Sequence, residues 1–206
     1  MEQSYASINP SPPFDFELTA SHNTDFRNAY RINSKGDITY RRLIDLGDKL
    51  VLASVCSEGT VEVPRLALEL QGEGLTQEDV EGAVRRVAWL LGTDQNLTSF
   101  YSMTENDSVM SEVVRCFYGL HLTHTETVFE ALVLAVLGQQ IATNVARMIR
   151  TLIIETFGPR AEFGGETYYA FPRPEAIWSS SPEVLRTMKL TKRKSEYVHG
   201  IAGLAL

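Results

Sequence analysis

The sequence predicts an α+β protein in which an N-terminal antiparallel sheet with helices is followed by an all-helical part. Two observations predict this fold class. Strand-like segments separated by short polar pairs fill residues 37–70, and apolar residues at helical spacing replace them after residue 74. The chain has 206 residues, of which 44% are hydrophobic and 22% charged, and this is enough to bury a core.

The N-terminal half is expected to form a domain over residues 14–120. Residues 1–13 are polar and contain three prolines, so we expect a flexible N-terminus before this domain. Three predicted strands follow, at residues 37–45, 49–56 and 60–70. The pairs Gly-Asp at 47–48 and Glu-Gly at 58–59 are typical of hairpin turns, so the sequence predicts an antiparallel meander.

Helices account for most of the remaining chain, and a second domain is expected over residues 121–206. In the first domain, Thr76 is expected to cap a helix that ends at Gly92, and another helix is expected over residues 108–118. Residues 128–137 are apolar on nearly every face. This pattern predicts a buried central helix.

After the central helix, the sequence predicts an amphipathic helix from residue 141 to Phe157, and then a loop of about a dozen residues. Pro174 and Pro182 each stand where the first residue of a short helix is expected. The last predicted helix begins with a basic turn after Thr191.

The formal net charge of −7 argues at first against a polyanionic partner. The charge is unevenly distributed, however. Residues 1–140 carry 10 Lys and Arg against 20 Asp and Glu, whereas residues 141–206 carry 9 against 6. A polyanion could therefore bind to the last third of the chain.

The sequence suggests no cofactor and no metal. Cys56 and Cys116 do not form a CxxC pair, and we expect two buried free thiols. His121 and His124 could reach one metal ion only on a helix, but they precede a predicted helix, and we expect no acidic or thiol partner to complete a metal site with them.

The localisation is expected to be cytoplasmic, with the protein associated with the nucleoid or, in a eukaryote, located in the nucleus. No apolar run approaches the roughly 20 residues that are needed to cross a bilayer. The first residues also lack the basic and apolar regions of a signal peptide.

Residues 129–150, with Gly138-Gln139-Gln140 at their centre, resemble the first two helices of the helix-hairpin-helix domain in DNA glycosylases of the 3-methyladenine type. The segments around Tyr168 and after Ser181 are similar to the next elements of that family, and the residues before 121 are similar to its N-terminal, TBP-like layer. The resemblance implies base-excision DNA repair. The reaction would be removal of alkylated purines by base flipping and hydrolysis of the N-glycosidic bond.

In this family (the HhH-GPD superfamily), the hairpin and the catalytic Asp follow the helix with which this sequence ends, and no residue of the sequence corresponds to them. We therefore expect an incomplete helical domain, no catalytic residue in this chain and no activity of the chain alone. The implied partner is double-stranded DNA with a damaged base. A second polypeptide or a further C-terminal part would supply the hairpin and the Asp.

The resemblance also implies roles for individual residues. Gln140 matches the residue that fills the gap left by the flipped nucleotide, and Gln139 lies beside it. Thr143 is expected to cap the following helix or to contact a phosphate at its N-terminus. His22 falls near the position of a residue of the base pocket in relatives.

Three basic residues at the start of the last predicted helix are candidate phosphate ligands, because cations are unfavourable at a helix N-terminus unless an anion is present. They are Lys192, Arg193 and Lys194. A solvated run of charges is an equally good interpretation of these three residues. A polar helix-helix turn is likewise an alternative interpretation of the two glutamines.

Two other functions remain open from the sequence. The first is an 8-oxoguanine glycosylase/lyase with a lysine nucleophile, because residues 157–160 and 168–172 also resemble that branch of the family. The second is a non-catalytic DNA-binding or structural fragment. The Gly-Gln-Gln sequence at 138–140 favours the alkylation branch.

Overall fold

Alternating apolar residues in the first part of the chain form a sheet with a buried face. The computed structural model describes residues 2–21, 26–33 and 36–206. These residues divide into two units. The first unit contains residues 2–21, 28–33 and 36–124, and the second contains residues 26–27 and 125–206.

In the described part of the first unit, five strands form one antiparallel sheet in the spatial order β1-β5-β4-β3-β2. The strands are β1 (Glu2–Ile8), β2 (Tyr30–Ile32), β3 (Ile38–Asp45), β4 (Leu50–Ser57) and β5 (Leu66–Gly72). The consecutive strands β3, β4 and β5 pair with one another, which confirms the predicted meander. β5 begins later than predicted, because the backbone of Thr60 and Val63 first closes a turn through a hydrogen bond of 3.2 Å.

The strand β1 contradicts the expectation of a flexible N-terminus. It pairs with β5 along its whole length, from Glu2 opposite Gly72 to Ile8 opposite Leu66. The segment is polar because most of its side chains face solvent, so its composition does not indicate a strand. Its backbone groups pair with the free edge of β5. Ile8 at its end is buried.

In its described part the first unit also contains the helices α1 (Phe16–Ala20), α2 (Gln77–Leu90), α3 (Thr98–Thr104) and α4 (Ser108–Cys116), of which α2 packs on the sheet. The core forms between α2 and the sheet. Leu66, Leu68 and Leu70 alternate along β5 on its buried face and share one apolar cluster with Val87 of α2. Gly92 ends the helical segment with a φ of +58°, as its position in the sequence predicts.

The helix α4 lies outside this core. Among the described residues of α4 none is buried, and Val109 and Val113 on its apolar side are exposed. Cys116, the last residue of α4, is also exposed, and Cys56 in β4 is half-buried. The expectation of two buried thiols is therefore wrong, because α4 packs chiefly on the short helix α3.

The second unit is mostly helical. Its elements are α5 (Val128–Gly138), α6 (Thr143–Phe157), β6 (Arg160–Phe163), β7 (Glu166–Tyr169), α7 (Pro174–Trp178), α8 (Pro182–Thr187) and α9 (Lys192–Leu204). α9 packs against α5, α7 and α8, and its residues Val198 and Ala202 are fully buried. The predicted helix starts at Pro174 and Pro182 are confirmed.

A β-hairpin replaces the loop that was expected after Phe157. β6 and β7 pair from Arg160 opposite Tyr169 to Phe163 opposite Glu166. Gly164 and Gly165 form the turn with φ values of +59° and +80°, which is the backbone conformation of a tight hairpin turn with two glycines. The two adjacent glycines indicate this turn in the sequence, but each strand has only four residues and shows no clear alternation.

The helix α5 is only partly buried, in contrast to the buried central helix that its composition predicts. Phe129, Val133 and Leu137 are buried at helical spacing, but Val128 is 75% exposed and Leu132 is 49% exposed. Apolar composition on every face therefore does not identify the packed face. No helix within the described ranges is long and apolar enough to span a membrane.

The aromatic residues Phe14, Phe16 and Tyr168 are buried, but Trp178 is 45% exposed. Its ring stacks on His199 with 4.5 Å between the ring centroids. It also lies close to Gly203, where a Cβ atom would be only 2.5 Å from a ring carbon. The indole of Trp178 is thus packed in part, although the residue lies outside the buried core.

The start of α2 illustrates how the sequence fixes a helix boundary. Thr76 and Asp79 form a capping box, in which Asp79 N–H donates to Thr76 Oγ1 at 3.3 Å and Thr76 N–H donates to Asp79 Oδ2 at 2.8 Å. Lys49 donates to the same carboxylate oxygen at 2.6 Å. The Lys49 ammonium and the Thr76 donors lower the pKa of Asp79 to about 2.

We expect Asp79→Asn to lower the free energy of unfolding at neutral pH. The free energy of unfolding of the variant should also fall less than that of the wild type when the pH is lowered. The folded-state pKa of about 2 lies below the ~3.9 of an unfolded Asp. The carboxylate therefore stabilises the fold above pH ~4, and this stabilisation is lost as the pH falls towards 2. Urea unfolding of the two proteins at several pH values should show their difference shrinking between pH ~4 and ~2.

Exposed Asp94→Asn is the matched control and should keep the pH dependence of the wild type. A constant difference between Asp79→Asn and wild type across this pH range would contradict the role of the Lys49-Asp79 pair.

Candidate nucleic-acid interface

Residues 138–142 connect α5 to α6 and contain both candidate glutamines; we call this segment the glutamine turn. Gly138 is the last residue of α5, and Gln139 leaves the helix in an extended conformation with φ −64° and ψ 132°. Gln140 then adopts the left-handed conformation, with a φ of +55°. For an L-residue this conformation costs about 1–2 kcal/mol, and such strain is often found at functional sites.

The side chains of Gln139 and Gln140 are both exposed. Within residues 2–21, 26–33 and 36–206, neither side-chain amide makes a hydrogen bond. Each amide can therefore donate and accept hydrogen bonds to an external group. The geometry brings these two free amides together on one short turn.

The N-terminus of α6 follows directly. Thr143 is the first residue of the helix, whereas Ala142 is its N-cap and offers no capping side chain, so the predicted cap at Thr143 does not form. The Thr143 side chain is exposed and has no hydrogen-bonding partner among the described residues. Val145 N–H donates to Asn144 Oδ1 at 2.9 Å, and the remaining backbone N–H groups of this first turn have the polarity that suits an anion.

Arg147 lies one helical turn after Thr143 on the same face of α6, and the sequence-based site prediction missed it. Its side chain is exposed and forms no ion pair or hydrogen bond with the described part of the chain. The spacing of four residues from Thr143 would have identified it, because residues four apart are neighbours on a helix surface.

The first turn of α9 carries the three predicted cations, and each has a different environment. Lys192 lies 3.9 Å from Glu196, and both side chains are mostly exposed. Arg193 donates through Nε to the hydroxyl of Tyr197 at 2.6 Å, and its guanidinium lies 5.3 Å from the centroid of that ring. Such exposed contacts are weak and leave the cationic groups accessible to solvent.

Lys194 points to the glutamine turn. Its ammonium donates to the carbonyl oxygens of Leu137 at 3.0 Å and of Gln139 at 2.6 Å. These contacts join the N-terminus of α9 to the C-terminus of α5. The predicted DNA-binding residues from two distant parts of the sequence are thus adjacent in the second unit.

The remaining candidate residues are histidines, one predicted for a base pocket and two considered for a metal ion. His22 lies outside the described residues, so its predicted place in a base pocket is not tested. The imidazole of His121 is buried, with Nδ1 2.6 Å from the carbonyl oxygen of Gly92 and Nε2 3.0 Å from that of Pro13. In the chain as far as it is described, no group of three His, Cys, Asp or Glu residues is arranged to hold a metal ion.

The surface formed by the glutamine turn, the start of α6 and the start of α9 is rich in hydrogen-bond donors and cations. It combines free amides, uncapped backbone N–H groups and the side chains of Arg147, Lys192 and Arg193. Phosphate groups of nucleic acids are bound by such donors, and amides can bind base edges. The arrangement contains groups for holding a polyanion.

No family model matches the chain. A curated relative, a DNA-3-methyladenine glycosylase from Bacillus subtilis, is 40% identical over 111 residues, which are 54% of this chain and 37% of the relative. The solved structure of a 3-methyladenine DNA-glycosylase from Archaeoglobus fulgidus matches with a TM-score of 0.78 and 25% identity, over 96% of this chain and 66% of that chain. This chain therefore spans less than two thirds of the length of either protein.

The fold also occurs in an 8-oxoguanine glycosylase/lyase from Clostridium acetobutylicum, which matches with a TM-score of 0.66 at 12% identity, over 96% of this chain and 63% of that chain. At this identity the match shows the fold alone. Together these matches confirm the α+β fold class and the resemblance that the Gly-Gln-Gln segment indicates. The chain is similar to a protein named DNA-3-methyladenine glycosylase over 111 residues, and over nearly its whole length it has the fold of the solved 3-methyladenine and 8-oxoguanine glycosylases.

Proposed function

We propose that this chain forms the duplex-opening part of a DNA N-glycosylase that removes alkylated purines such as 3-methyladenine in base-excision repair. The observation that carries the proposal is the exposed glutamine turn, with Gln140 in a left-handed conformation beside a cationic surface. The similarity to proteins named 3-methyladenine glycosylases supports the choice of substrate.

The glutamine turn supplies the group that replaces a flipped nucleotide. A base inside a duplex is inaccessible, so an enzyme that acts on it must rotate the nucleotide out of the stack. The Gln140 side chain can enter the space that is left, and its free amide can hydrogen-bond the base that has lost its partner. The exposed amide of Gln139 can contact a neighbouring base edge or sugar.

The cations around the turn hold the DNA backbone. Arg147 and the N-terminus of α6 directly follow the turn in the chain, and Lys192 and Arg193 lie in the first turn of α9, whose Lys194 contacts the glutamine turn. Phosphate contacts of this kind position a duplex without reading its sequence. This suits an enzyme that must search for damage in any sequence.

The chemical step needs a further group. Hydrolysis of the base-sugar bond passes through an oxocarbenium-like sugar, and a carboxylate near the anomeric carbon stabilises it or activates water. The resemblance assigns no residue of this chain to that role. The contribution that we derive for this chain is therefore binding, opening and orientation of the DNA.

The proposal can be tested by DNA binding with the 206-residue chain. We expect tighter binding to a duplex that contains a stable abasic-site analogue than to the matched intact duplex, because the gap is already open for Gln140. Fluorescence anisotropy measures both affinities. In parallel, release of 3-methyladenine from methylated DNA is measured with the protein in the length in which its native source makes it. Equal affinities together with no release would contradict the proposal.

In the protein at the length in which its native source makes it, we expect Gln140→Ala to slow excision while leaving the fold intact. Loss of an interaction of about 1–2 kcal/mol slows single-turnover excision by roughly 5- to 30-fold. The loss should be larger for a lesion in a stable duplex than for one opposite a mismatch, because less stacking is broken in the second case. Equal rates of mutant and wild type would exclude the role of Gln140. A melting temperature that falls with the activity would make it a structural turn residue.

Gln140→Gly separates stability from function. Glycine adopts a positive φ without strain, so the variant should be as stable as the wild type or more stable by up to ~1 kcal/mol, which corresponds to about 2–4 °C in melting temperature. The same variant should open DNA as poorly as Gln140→Ala. A Gln140→Gly protein that melts well below Gln140→Ala would contradict the left-handed conformation of this residue.

Arg147→Ala tests the phosphate contacts. We expect weaker binding to all duplexes and a decrease of about 0.9 in the slope of log affinity against log salt, as for the loss of one phosphate contact. The control is Arg85→Ala on the exposed side of α2, which should leave the slope unchanged. Identical salt slopes for Arg147→Ala and wild type would remove Arg147 from the interface.

A further inference from the structure

We propose that Lys194 is a positioning residue: its ammonium holds the carbonyl groups of the glutamine turn and thereby fixes the direction of the Gln140 side chain. The inference rests on the proposed function of Gln140 and deepens it. It changes the role that the sequence suggests for Lys194, from a ligand of DNA phosphate to a residue that acts through Gln140.

The contacts of Lys194 carry the inference. Its ammonium donates to the carbonyl oxygen of Gln139 at 2.6 Å and to that of Leu137 at 3.0 Å. The peptide bond that begins with the Gln139 carbonyl ends at the nitrogen of Gln140. A bond to this carbonyl therefore restrains the peptide plane that precedes the left-handed residue.

The electrostatic setting favours this arrangement. Lys194 lies in the first turn of α9, where a cation is unfavourable to its own helix dipole. The last carbonyl groups of α5 lack partners within that helix and carry partial negative charge. The ammonium of Lys194 extends to the end of α5, where it donates to carbonyl groups that need a partner. Its positive charge is favourable there, whereas it would be unfavourable beside the N–H groups of α9.

Arg150 supports the same helix end from α6. Its Nη2 donates to the carbonyl oxygen of Leu134 at 3.2 Å. Gly138 leaves room for this guanidinium, since a Cβ atom at position 138 would lie 3.0 Å from Arg150 Nη2. The end of α5 is thus held by a cation from α6 and by a cation from α9, and the glutamine turn begins from this fixed point.

A fixed turn matters for opening a duplex. A wedge is useful only when its side chain already points into the space that the nucleotide leaves, because ordering a mobile side chain during opening costs conformational entropy. Gln140 has no hydrogen bond of its own to the described chain. The direction of its Cα–Cβ bond is set by the backbone, which Lys194 restrains.

The two roles of Lys194 predict different effects of Lys194→Met, which keeps much of the aliphatic side chain and removes the charge. A phosphate ligand would lower the salt slope of binding by about 0.9. A positioning residue leaves the salt slope unchanged and lowers the extent of duplex opening. Lys192→Met is the matched control, because it removes the same charge from the same helical turn and should lower the salt slope.

Duplex opening can be measured with ethenoadenine, an alkylated purine whose fluorescence increases when it leaves the base stack. We expect the 206-residue chain with Lys194→Met to bind this duplex but to open it roughly 5- to 30-fold less, an effect no larger than that of Gln140→Ala. In the Gln140→Ala background, Lys194→Met should have no further effect, since it acts through Gln140. Additive losses, or a lower salt slope, would overturn the proposal.

Lys194→Arg provides the conservative variant. A guanidinium also donates to carbonyl groups, so this variant should recover most of the opening that Lys194→Met loses. Thermal melting of each variant shows that it is folded. If Lys194→Met does not fold, Lys194→Arg still tests the proposal: opening at the level of Gln140→Ala in a folded Lys194→Arg protein would overturn it.

A measurement without DNA separates this inference from the proposed function. NMR relaxation of the backbone at residues 139–141 should show larger amplitudes of motion in Lys194→Met than in wild type, and unchanged amplitudes in Lys192→Met. A rigid turn in both variants would overturn the positioning role. If the turn becomes mobile but no protein opens DNA, the proposed function has failed and the structural role of Lys194 stands.

Discussion

The carbonyl groups at the end of α5 are the constraint on which the candidate interface depends. A helix leaves its last carbonyl groups without partners inside the helix, and here Lys194 of α9 donates to the carbonyl oxygen of Leu137 and to that of Gln139, the residue after α5. Arg150 of α6 donates to the carbonyl oxygen of Leu134, one turn earlier in α5. This requirement fixes where α9 begins relative to α5 and places the basic turn of α9 beside the glutamines. The geometry of one helix end therefore brings together Gln139 and Lys194, which are 55 positions apart in the sequence.

The sequence predicts those features of the fold that depend on local pattern. The meander follows from alternation and hairpin pairs, and the start of α2 follows from Thr76 and Asp79, whose interactions extend over only three residues. β1 could not be predicted in the same way, because a short polar segment becomes a strand only when the edge of β5 is available to it. The burial of α5 was also mispredicted, since composition does not tell which face is packed.

In the candidate site, too, the features that depend on local sequence could be predicted, and those that depend on contacts between distant segments could not. The glutamines and the basic turn of α9 stand out in the sequence, and the comparison with relatives supports the family resemblance that the glutamines indicate. The left-handed conformation of Gln140 and the direction of Lys194 could not be predicted, because both depend on contacts between helices that are distant in the chain. Arg147 could have been predicted from its spacing of four residues from Thr143. The structure thus adds to the sequence mainly the distinction between side chains that face solvent and side chains that hold the turn.

The pairing of β1 with β5 has a consequence for how the chain folds. Hairpins between β3, β4 and β5 join residues that are close in sequence, whereas the β1-β5 register joins Glu2 to Gly72 and Ile8 to Leu66. Closing so long a loop costs more chain entropy than closing a hairpin, and contacts of high sequence separation form slowly. We therefore infer that β1 is added after the meander has formed. On the ribosome, β1 lacks its partner strand until residue 72 has emerged. Until β1 is added, the edge of β5 is open to strands of other chains.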